Sequence, residues 1–76
     1  MKKVLEILQE LHPQFDYEHS SDFITEGLID SFDLARLIAA LDAAYGIKIA
    51  GTDVLAENFR SLDSIGKMLS HYGVEA

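Results

Sequence analysis

The chain has no cysteine, no tryptophan and a single proline among its 76 residues. Without cysteine it can form neither a disulfide framework nor a thiolate metal site, so any thiol chemistry would need an added prosthetic group. Basic residues are also few: six lysines and arginines, scattered along the chain, stand against thirteen acids and give a net charge of −7. Because nucleic-acid phosphates require a clustered basic surface, we predict no nucleic-acid binding.

Long apolar runs are missing as well. No run approaches the length of a membrane-spanning helix, and the N-terminus lacks the apolar core of a signal peptide, so we expect a cytoplasmic chain without stable membrane association. The negative charge suits a partner with a basic surface, but it also simply keeps a small protein soluble, and charge alone does not separate these interpretations. Since 49% of the residues are apolar, we expect one domain over residues 1–76 with a modest core, and a monomer.

Apolar residues three and four positions apart predict an all-α fold, a small bundle of three main helices and one short helix with a long first loop. The first helix should cover 2–12 and end before Pro13, since the residue before a proline resists the α region. The second should cover 31–45 and end at Gly46. Its inward face holds five apolar residues: Leu34, Leu37, Ile38, Leu41 and Tyr45.

Two further elements follow from the remaining sequence. The segment 13–30 has no helical or strand period and is predicted to be a loop. Its apolar residues should pin it to the bundle: Phe15, Tyr17, Phe23, Ile24, Leu28 and Ile29. A short helical turn is predicted over 53–58, capped by Thr52 or Asp53, and Ser61 is the expected N-cap of the last helix.

The most informative stretch runs from Gly27 to Phe32, at the start of the second helix. Gly27 should supply a positive φ, Asp30 can cap the helix, and Ser31 should occupy the first turn with its hydroxyl near solvent. Unpaired backbone N–H groups and the helix dipole make such a position a favourable binding site for a phosphate. The geometry suggests a serine that carries a phosphate-linked group, although an Asp-Ser step before an apolar helix is, by itself, most often only a cap.

The outward face of the second helix also has an unusual composition. It consists of Phe32, Arg36, Ala39 and Ala43. Only two of these side chains are long, which is few for a helix surface. Helix propensity explains alanine there, but the exposed Phe32 favours a surface on which a partner lies close. Asp33 and Asp42 fall on the flanks, where charges are usually just solvated, but together with Arg36 they flank Ser31, which favours partner recognition. The candidate partner-recognition residues are those nearest Ser31: Asp30, Phe32, Asp33 and Arg36.

The three histidines do not support catalysis. A nucleophilic serine needs a histidine base and an orienting acid, whereas His12, His19 and His71 fall at a helix end, in a loop and at another helix end. His12 and His71 are placed to interact with helix dipoles. The acids lack EF-hand spacing and the histidines are not paired at i, i+4, so we predict no metal site, no catalytic residue and no enzyme activity.

The order of these elements resembles the acyl carrier protein family, whose Asp-Ser-Leu motif appears here as Asp30-Ser31-Phe32. The flanking segments are similar in the same order. Asp22–Ile24 and Gly27–Ile29 resemble the approach to the motif, Tyr45–Ile49 the end of the second helix, and Glu57–Ile65 the entry to the last helix. The resemblance spans nearly the whole chain.

This resemblance implies that Ser31 carries 4′-phosphopantetheine, moved from coenzyme A by a phosphopantetheinyl transferase, and that the arm's thiol holds an acyl or aminoacyl group as a thioester. The implied partners are that transferase, an acyl or aminoacyl ligase, and downstream synthases or transferases of lipid or secondary-metabolite synthesis. Phe32 replaces the family's leucine, and Arg36 stands where fatty-acid carriers often keep an acid. These departures favour free-standing carriers for aminoacyl or specialised acyl ligases, including the D-alanyl type. The alternative is an unmodified helical domain that binds a partner through its second helix.

Overall fold

The computed structural model describes residues 2–75, and the regular structure within them is entirely helical. The helices are α1 (Lys2–Leu11), α2 (Ser31–Tyr45), α3 (Ala56–Phe59) and α4 (Leu62–Ser70), with a 3₁₀ turn at Gly51–Asp53. The predicted all-α class, with three main helices and one short one, is therefore confirmed for this part of the chain. No helix within residues 2–75 is long and apolar enough to cross a membrane.

The core combines one face of each helix with side chains from the first loop and from the segment after α2. Its buried apolar residues are Val4, Leu8, Tyr17, Phe23, Ile29, Leu37, Leu41, Ile49, Phe59, Ile65, Met68 and Leu69. Tyr17 and Phe23 come from the loop and pack edge to face, with ring centroids 5.4 Å apart. The loop is thus fixed to the bundle by its apolar residues, as the sequence predicts.

The ends of α2 also match the prediction. Asp30 is the N-cap and accepts a hydrogen bond from the backbone N–H of Asp33 at 2.8 Å. Gly46 ends the helix with a φ of 63°, in the left-handed region that glycine adopts without strain. Leu37 and Leu41 on the inward face are fully buried. Both the limits and the rotation of α2 therefore follow from its sequence.

The cap predicted for the short helix is wrong. Helix α3 begins at Ala56, and its N-cap is Leu55, which offers no side-chain acceptor. The carboxylate of Asp53 instead accepts a hydrogen bond from the hydroxyl of Tyr72, beyond the end of α4. Tyr72, 19 positions away in the sequence, thus binds the carboxylate that local spacing predicts as a helix cap.

Asp42 is not a merely solvated flank residue either. Its side chain is half-buried, and Oδ1 accepts a hydrogen bond from the backbone N–H of Ile49 at 3.0 Å. Its backbone oxygen accepts from the N–H groups of Gly46 and Ile47. Asp42 therefore ties the segment after α2 back onto the helix.

Candidate functional site

The chain that leads to Ser31 is held in a tight turn. The carboxylate of Asp22 accepts hydrogen bonds from the N–H groups of Ile24 and Thr25. The backbone oxygen of Phe23 accepts hydrogen bonds from the N–H groups of two later residues of the turn. Gly27 has the predicted positive φ, 76°. A Cβ at Gly27 would meet open space, so glycine is required there by the backbone angle and not by crowding. The turn delivers a buried Ile29 directly before the helix cap.

Ser31 is the first residue of α2 and is exposed to solvent, as predicted. Asp30 and Asp33 form a reciprocal capping box, in which each carboxylate accepts the backbone N–H of the other residue. Within residues 2–75, the N–H groups of Ser31 and Phe32 have no hydrogen-bond acceptor. The serine hydroxyl therefore lies beside unpaired N–H groups at the positive end of the helix.

The prediction that Asp33 lies on a solvated flank of α2 is wrong, because Asp33 is only 7% exposed. Oδ2 lies 2.9 Å from Nε2 of His12, the residue that follows α1. A carboxylate can only accept, so His12 carries a proton on Nε2 in this contact. Oδ1 lies 3.8 Å from NH1 of Arg36. Asp33 thus links the end of α1 to the start of α2, and its role in partner recognition stays a prediction.

Burial raises the pKa of Asp33, but hydrogen bonds from His12 and from the backbone of Asp30 outweigh it and hold the pKa below its ordinary value of 3.8. A carboxyl with a lowered pKa in the folded state stabilises the fold above its unfolded pKa. That contribution is lost as the pH falls through the folded pKa. The stability of the start of α2 therefore depends on an ionised Asp33.

We expect Asp33→Asn to lower the free energy of unfolding at pH 7 by about 1–3 kcal/mol, since hydrogen bonds to a charge are lost. Urea unfolding of the variant and of wild type should give a difference that shrinks as the pH falls below 3.8, because Asp33 is then protonated first in the unfolded wild type and, below its lowered pKa, in the folded wild type as well. Asp63→Asn is the matched control, because the Asp63 carboxylate is exposed and, among the described residues 2–75, pairs with Lys67 alone. An equal gap at pH 3 and pH 7 would contradict this role of Asp33.

An apolar pocket of about 230 Å³ opens beside Ser31. It is bounded by the first loop, the start of α2 and the start of α3, through the residues Ile24, Ile29, Asp30, Ser31, Leu34 and Ala56. No local sequence pattern identifies this set of residues, because only the fold brings Ile24 and Ala56 close to the serine. The site therefore joins a polar helix start to an apolar recess.

The outward face of α2 is placed as predicted. Phe32 is 70% exposed, and Arg36, Ala39 and Ala43 are exposed as well. Phe32 takes no part in the packed core. An aromatic side chain therefore stands in solvent directly beside the serine.

The histidines lie elsewhere. His19 pairs through Nδ1 with Oδ2 of Asp16 on the exposed loop at 2.7 Å, and His71 follows α4. The sequence assigned His12 only to a helix dipole and missed its contact with Asp33, for which no local pattern exists. Among the hydrogen bonds within residues 2–75, none joins the Ser31 hydroxyl to a histidine. The arrangement offers a serine hydroxyl at a helix start without a paired base.

Within the same residues, no group of three or more histidines and acids is arranged to hold a metal ion. The chemistry available at this site is thus that of an exposed hydroxyl, a helix N-terminus and an apolar recess. The chain gives no significant match to a protein-family model, a curated protein or a solved structure.

Proposed function

We propose that this chain is a carrier protein that holds an acyl or aminoacyl group as a thioester on a 4′-phosphopantetheine arm attached to Ser31. The position of Ser31 is the main support for this proposal. Ser31 is exposed and is the first residue of a 15-residue helix, and unpaired backbone N–H groups lie beside it. A phosphodiester on its hydroxyl oxygen would place negative charge at the positive end of that helix. An ordinary surface serine lacks this electrostatic support.

The residues around Ser31 fit such a group. The N–H groups of Ser31 and Phe32 can donate to phosphate oxygens, and Asp30 is held by the capping box, with Oδ1 accepting from Asp33. The apolar pocket beside the serine suits the apolar part of an arm or its cargo. When attached, the arm supplies the thiol that forms the thioester. No thiol of the chain competes with it, because the sequence contains no cysteine.

The role of the chain is to present the cargo, and catalysis belongs to its partners. These are a phosphopantetheinyl transferase, an acyl or aminoacyl ligase, and the synthases or transferases that take the cargo. The resemblance to the acyl carrier family agrees with the all-helical fold and with the capped start of α2. Phe32 and Arg36 favour the carriers that serve aminoacyl or specialised acyl ligases, including the D-alanyl type, over those of fatty-acid synthesis.

Intact-mass measurement tests this function. The purified chain is incubated with coenzyme A and a broad-specificity phosphopantetheinyl transferase, and we expect the mass to rise by one phosphopantetheine. A well-characterised carrier protein in the same reaction shows that the enzyme is active. If the control gains the arm and this chain does not, the carrier function fails, and an unmodified interaction domain is the remaining candidate.

Phe32→Ala is expected to separate binding from folding. Because Phe32 is 70% exposed, its removal should change the free energy of unfolding by less than about 1 kcal/mol. Loading of the arm by the cognate transferase should slow far more than this, since exposed aromatic anchors often dominate a contact. The loading rate and a urea melt are measured on the same variant. A loss of loading that only follows the unfolded fraction would make Phe32 a structural residue.

A further inference from the structure

The exposed face of α2 has a charge opposite in sign to that of the whole chain. The chain carries a net charge of −7, but α2 has only three charged residues, Asp33, Arg36 and Asp42. Asp33 is buried against His12, and Asp42 accepts the N–H of Ile49. The carboxylate of Asp33 is therefore turned inward, and that of Asp42 is half-buried and bound to the backbone after α2. The charge that α2 presents to a partner is the guanidinium of Arg36.

Arg36 is only loosely paired within the chain. Its side chain is 49% exposed, and its contact with Asp33 is 3.8 Å long, beyond hydrogen-bonding distance. With respect to residues 2–75, the guanidinium therefore keeps most of its donors free for an outside acceptor. Because guanidinium geometry matches a carboxylate, the group that complements it best on a protein surface is an aspartate or glutamate.

Phe32 lies one helical turn before Arg36, so the two side chains are neighbours at i, i+4. Among residues 2–75 only one other large apolar side chain is exposed, that of Leu55 at 46%. Ala39 and Ala43 continue this face, and their short side chains allow a partner protein to approach the helix closely. An aromatic ring, a free guanidinium and short side chains thus form one surface, which we call the Phe32–Arg36 face.

We infer that the protein that docks on the Phe32–Arg36 face presents an apolar pocket bordered by a carboxylate, so that its contact surface is acidic rather than basic. The inference rests on the proposed function, because the enzyme that modifies Ser31 must approach this end of α2. A basic contact surface would place like charges opposite Arg36, which disfavours binding. The net charge of the chain therefore misleads about its partner, because the acids of α2 are not on this face.

The experiment measures kcat/KM for loading by the transferase encoded in the same genome, with coenzyme A. We expect Arg36→Glu to lower kcat/KM by about tenfold, the equivalent of one lost charge contact, and Arg36→Ala to lower it less. Lys67→Glu makes the same change in net charge on the exposed side of α4, where the Lys67 ammonium pairs, among residues 2–75, with Asp63 alone. It should load within about twofold of wild type, as for other surface changes. Equal rates for Arg36→Glu and Lys67→Glu, or faster loading of Arg36→Glu, would overturn the inference.

A binding measurement keeps this result apart from the proposed function. Fluorescence anisotropy gives the Kd of the same transferase for the Ser31→Ala protein, which cannot be loaded, with Arg36→Glu or Lys67→Glu added. Weaker binding of the Arg36→Glu double variant supports the acidic contact surface even if wild type never gains the arm. Equal Kd values for the two double variants, or no binding at all, would overturn it. Urea melts of each variant exclude unfolding as the cause.

Discussion

Ser31→Ala is expected to abolish attachment of the arm completely and to leave the bundle folded. The substitution removes the only oxygen to which the proposal attaches the phosphate. The helix should survive, because the capping contacts belong to Asp30 and Asp33 and alanine is favourable inside a helix. We expect the free energy of unfolding to change by less than about 0.5 kcal/mol. Intact mass after incubation with coenzyme A and a transferase gives the first result, and a urea melt gives the second.

Ser21→Ala is the matched control for this substitution. Ser21 is an exposed serine whose hydroxyl donates to Glu26 at 3.0 Å, and no Asp-Ser step precedes a helix there. It should gain the arm at the wild-type rate. Ser20, Ser61 and Ser70 do not follow an aspartate. Ser64 follows Asp63, but it lies inside α4 and its N–H is paired with the hydroxyl oxygen of Ser61, so it does not open a helix as Ser31 does. A Ser31→Ala protein that still gains one phosphopantetheine would show that the wrong serine has been identified.

Leu37→Ala should give the largest loss of stability, about 2–5 kcal/mol, the usual range for removing a large buried side chain. Leu37 is fully buried near the centre of α2, a helix that packs against α1. A folded chain of 76 residues has limited stability to lose, so the variant should unfold at much lower urea concentration than wild type.

Leu55→Ala makes the same chemical change at a side chain that is 46% exposed. It should lower the free energy of unfolding by less than about 1 kcal/mol, because little apolar area returns to water. Similar urea midpoints for Leu37→Ala and Leu55→Ala would mean that α2 is rotated relative to the packing described here.

Features set by neighbours in the chain were predictable from the sequence. The apolar spacing of α2 fixed its buried face, and with it the exposure of Phe32 on the opposite side. Asp30 and Ser61 could be identified as caps because a cap acts on N–H groups two or three residues away. Gly46 could be identified as a helix end for the same local reason.

Features set by distant partners were not predictable. Asp33 has the spacing of a flank residue, and only the packing of α1 on α2 brings His12 to its carboxylate. Asp53 lies where a local cap would be expected, but its carboxylate accepts a hydrogen bond from the hydroxyl of Tyr72 instead. In both cases the competing partner lies more than 15 positions away, beyond the reach of any helical or turn pattern. The pocket beside Ser31 has the same origin, since the fold alone brings Ala56 to it.

The attachment of an arm to Ser31 is tested most directly by fragmentation mass spectrometry of the intact protein isolated from its own source. A second portion is analysed after incubation with coenzyme A and the transferase encoded in the same genome. We expect one phosphopantetheine per chain, located on the fragment that contains Ser31. An unmodified chain in both portions, or an arm located on any other residue, would contradict the carrier function.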